Sequence, residues 1–155
     1  MNILFVCQGN TCRSPMAAAL LKDAVLRRAV RVSASSAGLD VFDRAASPKA
    51  VEVMKERNID ISGHKPQTVS DEHIRWADLI LTMGDSHLGK LRRAFPAARG
   101  KSDALARYVG DSSGDVQDPY GASQEDYRAT RDRLEGLVAR VLDKLEHSTS
   151  GADAG

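Results

Sequence analysis

The sequence predicts a single-domain α/β fold: an open parallel sheet of about four strands with helices on both faces and a phosphate-binding loop after the first strand. Three observations predict it. Short apolar or alternating segments are interleaved with stretches of helical periodicity along the whole chain. A length of 155 residues suits one hydrophobic core. The apolar run Ile3-Leu4-Phe5-Val6 leads directly into the polar loop Cys7-Gln8-Gly9-Asn10-Thr11-Cys12-Arg13-Ser14, and that loop leads into a helical pattern.

The elements follow in order. Met16, Leu20, Leu21, Ala24, Val25 and Ala29 keep one face apolar and predict a helix from Pro15 to Val30, with Ser14 as its N-cap. Val30-Arg31-Val32-Ser33-Ala34 alternates like a short strand, and Ser36-Ala37-Gly38 reads as a turn. Ala50, Val51, Val53 and Met54 predict a helix from Pro48 to Arg57 that stops at Asn58, and Gly63-His64-Lys65-Pro66 is loop. A short helix starts at Ser70-Asp71-Glu72-His73, and Asp78-Leu79-Ile80-Leu81-Thr82-Met83 is a buried strand. Ser86 to Phe95 is helical and closes at Pro96, and Ala104-Leu105-Ala106 is a candidate short strand. Val109 to Ala122, rich in Gly, Asp and Ser, is a long loop of the kind that carries function in compact domains. Ser123 to Glu146 is an amphipathic terminal helix, so residues 1–147 form the domain and residues 148–155 a polar tail expected to fray. Trp76 is assigned to the core, and Phe42 to either the core or the rim of the site.

A loop that closes onto a helix N-terminus aims backbone N–H groups and the positive dipole end at one spot, which makes an anion site before any side chain is added. Ligands of such sheets bind beyond the strand C-terminal ends, where Cys7 falls. Arg13 adds a planar fork for two phosphate oxygens. An ordinary cysteine is only about 3% thiolate at pH 7, and a dipole-rich loop favours the charged, nucleophilic form. Ser14 offers a hydroxyl to the Cys7 sulfur, Gly9 offers conformational freedom, and Asn10 offers a side-chain amide to tie the loop. Release of a poor leaving group also needs a proton donor. Asp118, ahead of Pro119 and Tyr120 in the long loop, is the candidate acid, with Tyr120 as an aromatic wall; Asp111 and Asp115 are weaker candidates.

Composition removes several function classes. A formal net charge of +1 supplies no field for nucleic acid or an anionic membrane. No stretch approaches the roughly 20 apolar residues of a membrane span, and the N-terminus lacks the pattern of a secretion signal, so a cytoplasmic location is expected. The two cysteines, Cys7 and Cys12, cannot staple a chain of this length, and no Cys/His cluster completes a zinc site; no metal or other cofactor is expected. His64, His73, His87 and His147 are scattered without ligand spacing and read as surface or structural. Gly100-Lys101-Ser102 resembles the end of a nucleotide-binding loop but lacks the earlier glycine.

Cys7 to Arg13 with Ser14-Pro15, then Ser36-Ala37-Gly38, the late Asp118-Pro119-Tyr120 and the closing helix resemble the low-molecular-weight protein tyrosine phosphatase family across nearly the whole chain. The resemblance implies that Cys7 is a nucleophile that forms a phosphocysteine. It implies that Arg13 orients the phosphoryl group and that Asp118 serves as general acid and then general base. Gln8, Gly9, Asn10, Thr11, Cys12, Ser14 and Tyr120 would bind substrate, phosphorylated proteins would be the partners, and no metal is implied. It also suggests a reversible Cys7–Cys12 disulfide under oxidation.

Tyrosine-directed members usually carry isoleucine or valine where this chain has Thr11, and Gly9-Asn10-Thr11-Cys12-Arg13 is similar to the bacterial protein-arginine phosphatase branch. Asp78 to Met83 and Gly114 to Gly121 share that similarity, whereas Ala18 and Tyr120 depart from the usual residues. Phosphoarginine is therefore the first expectation and phosphotyrosine the alternative. An arsenate reductase of the thioredoxin-coupled type would need cysteines after Cys12, and none follows. A non-catalytic phosphoprotein-binding module would not need Cys7, Arg13 and Asp118 together.

Overall fold

The computed structural model describes residues 1–153, with side chains described through residue 148. Four parallel strands, β1 (Asn2–Cys7), β2 (Ser33–Gly38), β3 (Leu79–Thr82) and β4 (Ser102–Ala104), form one sheet in the order β2-β1-β3-β4. β1 is central and buried on both faces, which explains its unbroken apolar run. Its side chains alternate between two cores. Ile3, Phe5 and Cys7 join one cluster, and Leu4 and Val6 join the other.

The first cluster is closed by three helices, α1 (Arg13–Val25), α2 (Pro48–Lys55) and α6 (Gln124–Asp153). Met16, Leu21, Met54, Leu134 and Leu142 are among its fully buried side chains. The opposite face is covered by α3 (Asp71–Trp76), α4 (Asp85–Ala94) and a 3-10 turn at Pro96–Lys101, through Ile74, Leu91 and Ala98. A last short helix, α5 (Leu105–Tyr108), follows β4 directly. α3 starts where Ser70 accepts from His73 N–H while the His73 ring returns a bond to Ser70 N–H, a reciprocal cap.

Several expectations are corrected. The second strand lies at Ser33–Gly38 rather than around Val30, and Ser36-Ala37-Gly38 is its buried end, paired with Phe5-Val6-Cys7. Small residues suit this place because the neighbouring loop crowds it: a Cβ on Gly38 would lie 2.8 Å from the Gln8 carbonyl oxygen and 3.0 Å from Asn10 Cβ. α1 starts earlier, at Arg13, and ends at Val25, where bonds from Leu26, Arg27 and Arg28 N–H to the third residue back tighten the last turn. β4 occupies Ser102–Ala104, and Leu105-Ala106 belongs to α5. Trp76 is 37% exposed at the end of α3; Ile74 fills the core position of that short helix instead. α6 continues through Asp153, well into the segment expected to fray, and Ser148 Oγ donates to the Lys144 carbonyl within it. Residues 154–155 of the expected tail lie outside the described residues.

Arg131 ties α6 to α2. Its buried guanidinium donates to the Val53 carbonyl and to Glu56, and Arg128 grips the same carboxylate in a two-bond fork. These bonds from Arg128 and Arg131 hold the Glu56 carboxyl at a pKa of about 2.

Candidate active site

β1 ends at Cys7 and α1 begins at Arg13, so the intervening loop turns from the sheet edge onto a helix N-terminus. The first N–H groups of a helix have no partner within it, and with the dipole they favour an anion there. Cys12, not Ser14, stands at the N-cap position, and it makes no side-chain capping bond. Ser14 is fully buried inside the first turn and lies behind the loop rather than on its open side. Its Oγ is 2.9 Å from Cys7 Sγ and 2.8 Å from Asn10 Nδ2. Because Asn10 donates to Ser14, the Ser14 proton is available to the Cys7 sulfur.

Asn10 is the keystone of the loop. Its φ of 58° is left-handed, a conformation that asparagine adopts more readily than most residues; Gly9, expected to supply that freedom, does not take a positive φ. Asn10 is completely buried, and its polar groups are spent on holding the loop. Its N–H points at Cys7 Sγ at 3.3 Å, and Nδ2 donates to Ser14 and to Ser36. Oδ1 accepts from Gln67 N–H, and the carbonyl accepts from His64 Nε2 at 2.8 Å. That bond requires a proton on Nε2. Burial, the largest cause, pushes the His64 pKa down, so the neutral Nε2–H form suits the site.

The open side of the loop faces a cavity of about 310 Å³ lined by Cys7, Gln8, Gly9, Asn10, Thr11, Cys12 and Arg13, and also by Asp118 and Tyr120 from the long loop. Asp40, Phe42 and Asp43 complete its rim. Of the predicted site residues, Ser14 does not line it, and neither do the weaker acid candidates Asp111 and Asp115. Phe42 and Tyr120 are 83% and 66% exposed, so they are rim aromatics and not core. A larger groove of about 980 Å³ lies behind the loop, lined by Lys22, Asp60, His64 and Lys65 among others; it does not reach Cys7.

Arg13 links the two halves of the cavity. One guanidinium nitrogen donates to the Val116 carbonyl at 3.0 Å, and the other lies 3.6 Å from Asp118 Oδ2. Val116 N–H in turn reaches the Met83 carbonyl at the end of β3, and Asp115 Oδ1 accepts from Asp85 N–H at the start of α4. The long loop is thereby anchored just before Asp118. The Asp118 side chain is half exposed, and its Oδ1 accepts from Tyr120 N–H.

Behind Thr11 and Cys12 lies a second network. Ser47 N–H donates to the Thr11 carbonyl at 2.9 Å, and Ser47 Oγ donates to Tyr127 Oη at 3.1 Å. Tyr127 Oη lies 3.3 Å from Cys12 Sγ, and Cys12 Sγ lies 3.6 Å from Thr11 Oγ1. Burial raises the Cys12 pKa and, with the Cys12 contact, pushes Tyr127 up to about 12. Sequence reasoning missed His64, Ser47 and Tyr127 as parts of the site. Tyr127 is visible only as an apolar-face position of a helix, and no spacing ties Ser47 or His64 to a loop more than thirty residues earlier. Among the described residues, no group of three or more His, Cys, Asp or Glu side chains could hold a metal ion.

The chain whose cavity brings Cys7, Arg13 and Asp118 together is similar to several known proteins. A protein-arginine-phosphatase of Geobacillus stearothermophilus is 42% identical over 93% of this chain and 95% of its own length. One from Bacillus subtilis is 40% identical over 94% and 97%. A solved structure of the YwlE arginine phosphatase, a cysteine-to-serine mutant with a phosphorylated active-site serine, superposes with a TM-score of 0.90 at 39% identity, covering 94% of this chain and 96% of that one. Residues 2–150 match the low molecular weight phosphotyrosine protein phosphatase family. With that match running from the first residue of β1 into the last turns of α6, the chain belongs to this phosphatase family.

Proposed function

We propose that the protein is a metal-independent phosphatase that removes phosphate from arginine side chains of proteins, with Cys7, Arg13 and Asp118 as its catalytic residues. Cys7 thiolate attacks phosphorus, the P–N bond breaks, and Asp118 gives its proton to the departing guanidine nitrogen. Arg13 holds two equatorial oxygens with the loop N–H groups, which oppose the growing charge. Water then attacks the phosphocysteine while the Asp118 carboxylate takes its proton. The P–S bond breaks, and the sulfur leaves as a thiolate that the Ser14 hydroxyl stabilises.

The observation that carries the substrate choice is Thr11, which lines the cavity shared by Cys7, Arg13 and Asp118. A hydroxyl there can bond the polar guanidinium of phosphoarginine, whereas a methyl-rich wall would suit a flat ring. Support comes from the relatives that are themselves named protein-arginine-phosphatases. Phosphotyrosine is the second reading, favoured by the exposed aromatic rings of Phe42 and Tyr120 at the cavity mouth. The reading also places the protein in the cytoplasm, where thiols stay reduced; no helix among the described residues is long and apolar enough to cross a membrane.

Steady-state rates on phosphoarginine and phosphotyrosine peptides, for wild type and Thr11→Ile, test the assignment. Wild type should prefer phosphoarginine, and Thr11→Ile should lower that preference by about five-fold or more, the worth of one hydrogen bond. A wild-type preference for phosphotyrosine that Thr11→Ile leaves unchanged would reject it.

A further inference from the structure

The two cysteines of the loop sit in separate hydrogen-bond systems. Cys7 is met by Ser14 Oγ and by Asn10 N–H. Cys12 is served from the other side by Tyr127, and it touches Thr11. One assignment of protons that satisfies every contact of that second system runs in a single direction. Ser47 Oγ donates to Tyr127 Oη, so the single Tyr127 proton is left for Cys12 Sγ. In that assignment the Cys12 proton goes to Thr11 Oγ1, which leaves the Thr11 proton and one oxygen lone pair for the cavity. Tyr127, Cys12 and Thr11 are 2%, 4% and 7% exposed, so water does not compete along the chain. The raised pKa values of Tyr127 and Cys12 keep both links protonated at neutral pH.

We propose that Ser47, Tyr127 and Cys12 form a one-way hydrogen-bond relay that positions Thr11, so that the second lone pair of its hydroxyl oxygen accepts from a substrate N–H. Cys12 is then a thiol that orients its neighbour, and Tyr127 is a positioning residue for substrate choice from outside the cavity. Ser47 acts twice, since its N–H also fixes the Thr11 carbonyl. Where the relay bears on phosphoarginine, it rests on the reading of Thr11 as a substrate contact.

Two measurements test it. In a Cys7→Ser background Cys12 is the sole thiol, so the infrared S–H stretch reports its bond to Thr11. Adding Thr11→Val should move that band to higher frequency, and Tyr127→Phe should move it as well. A band unmoved by Thr11→Val overturns the relay whatever the substrate is. On the Cys7 enzyme, Tyr127→Phe should lower the phosphoarginine-to-phosphotyrosine ratio of kcat/KM by about two- to five-fold with Thr11 present. It should leave the ratio unchanged with Thr11→Val, because the residue then has nothing to orient. Equal losses on both substrates and in both backgrounds would reduce Tyr127 to structural support and overturn the proposal. If Thr11→Val leaves the substrate ratio unchanged while the S–H band shifts, the relay stands and the phosphoarginine reading fails.

Discussion

The two loops that meet at the cavity are built on opposite principles. In the Cys7–Ser14 loop the polar side chains of Asn10 and Ser14 are buried and bonded to other parts of the same wall, and Asn10 alone engages Cys7, Ser14, Ser36, His64 and Gln67. The Val109–Ala122 segment is tied at separate points, with Arg140 on Val109 and Asp111 and Lys49 on the Ala122 carbonyl. Asp115 and Val116 dock on the start of α4 and the end of β3, Arg133 grips the Gly114 and Asp115 carbonyls, and Asp118 beyond them is half exposed. The contrast separates two requirements of one reaction. An anion cradle works by being rigid before the ligand arrives, since reorganisation would cost binding. An acid that becomes a base must meet a leaving group and then a water molecule, which favours an accessible side chain on a tethered but open loop.

Substitutions can break this comparison. The largest effect is expected from Asp118→Asn, which should lower turnover of poor leaving groups by roughly 10²–10⁴-fold. An activated aryl phosphate should lose far less, and thermal stability should scarcely change; equal losses for both substrates would remove Asp118 as the acid. Asn10→Ala should show the opposite signature. It strips bonds from Ser14, Ser36 and Gln67 N–H and forces a left-handed φ on alanine, so stability should fall by about 1–3 kcal/mol in denaturant melts. Its rate loss should be similar for good and poor leaving groups, because the cradle serves every phosphate alike.

The smallest effect concerns neither loop. Glu56, bound by Arg128 and Arg131, has a folded pKa of about 2 against an ordinary 4.5. A depressed carboxyl pKa contributes stability above the unfolded value and loses it as pH falls through the folded one. Glu56→Gln should therefore melt below wild type at neutral pH, and the gap should close as pH falls from 4.5 toward 2. The substrate ratio should not move. A gap that persists in strong acid would mean that packing, rather than charge, ties α2 to α6.

Much of this molecule was legible in order and little of it in depth. β1, β3, α2 and α4 were found near their true places because local periodicity reports burial of one face or two. β2 was misplaced because its buried end is Ser36-Ala37-Gly38, small residues chosen by the crowding beside Gln8 and Asn10 and not by hydrophobicity. Trp76 was misread because size suggests burial, while the six-residue α3 offers the core only Ile74. The α6 continuation was missed because polar composition argues for fraying, whereas backbone bonds extend the helix regardless. In the site, Cys7, Arg13 and Asp118 were all named from sequence and share one cavity. Ser14 was expected to cap the helix and to offer its hydroxyl to Cys7; Cys12 holds the cap position, and the Ser14 hydroxyl reaches the sulfur from behind.

The sequence by itself determined the chemistry that the loop can perform, because a strand, a tight loop and a helix N-terminus are contiguous, and contiguous residues place a nucleophile, an anion site and an arginine together without help from the rest of the chain. It also determined the family, through motifs spread along nearly all of its length. Only the tertiary structure decided what supports those residues. Asn10 meets His64 and Gln67, Arg13 meets Val116, and Cys12 meets Tyr127 across separations of 54, 57, 103 and 115 residues. Side chains that far apart carry no shared periodicity, so their pairing is set by the sheet order and the packing of α6, and it can be read only once the chain is folded.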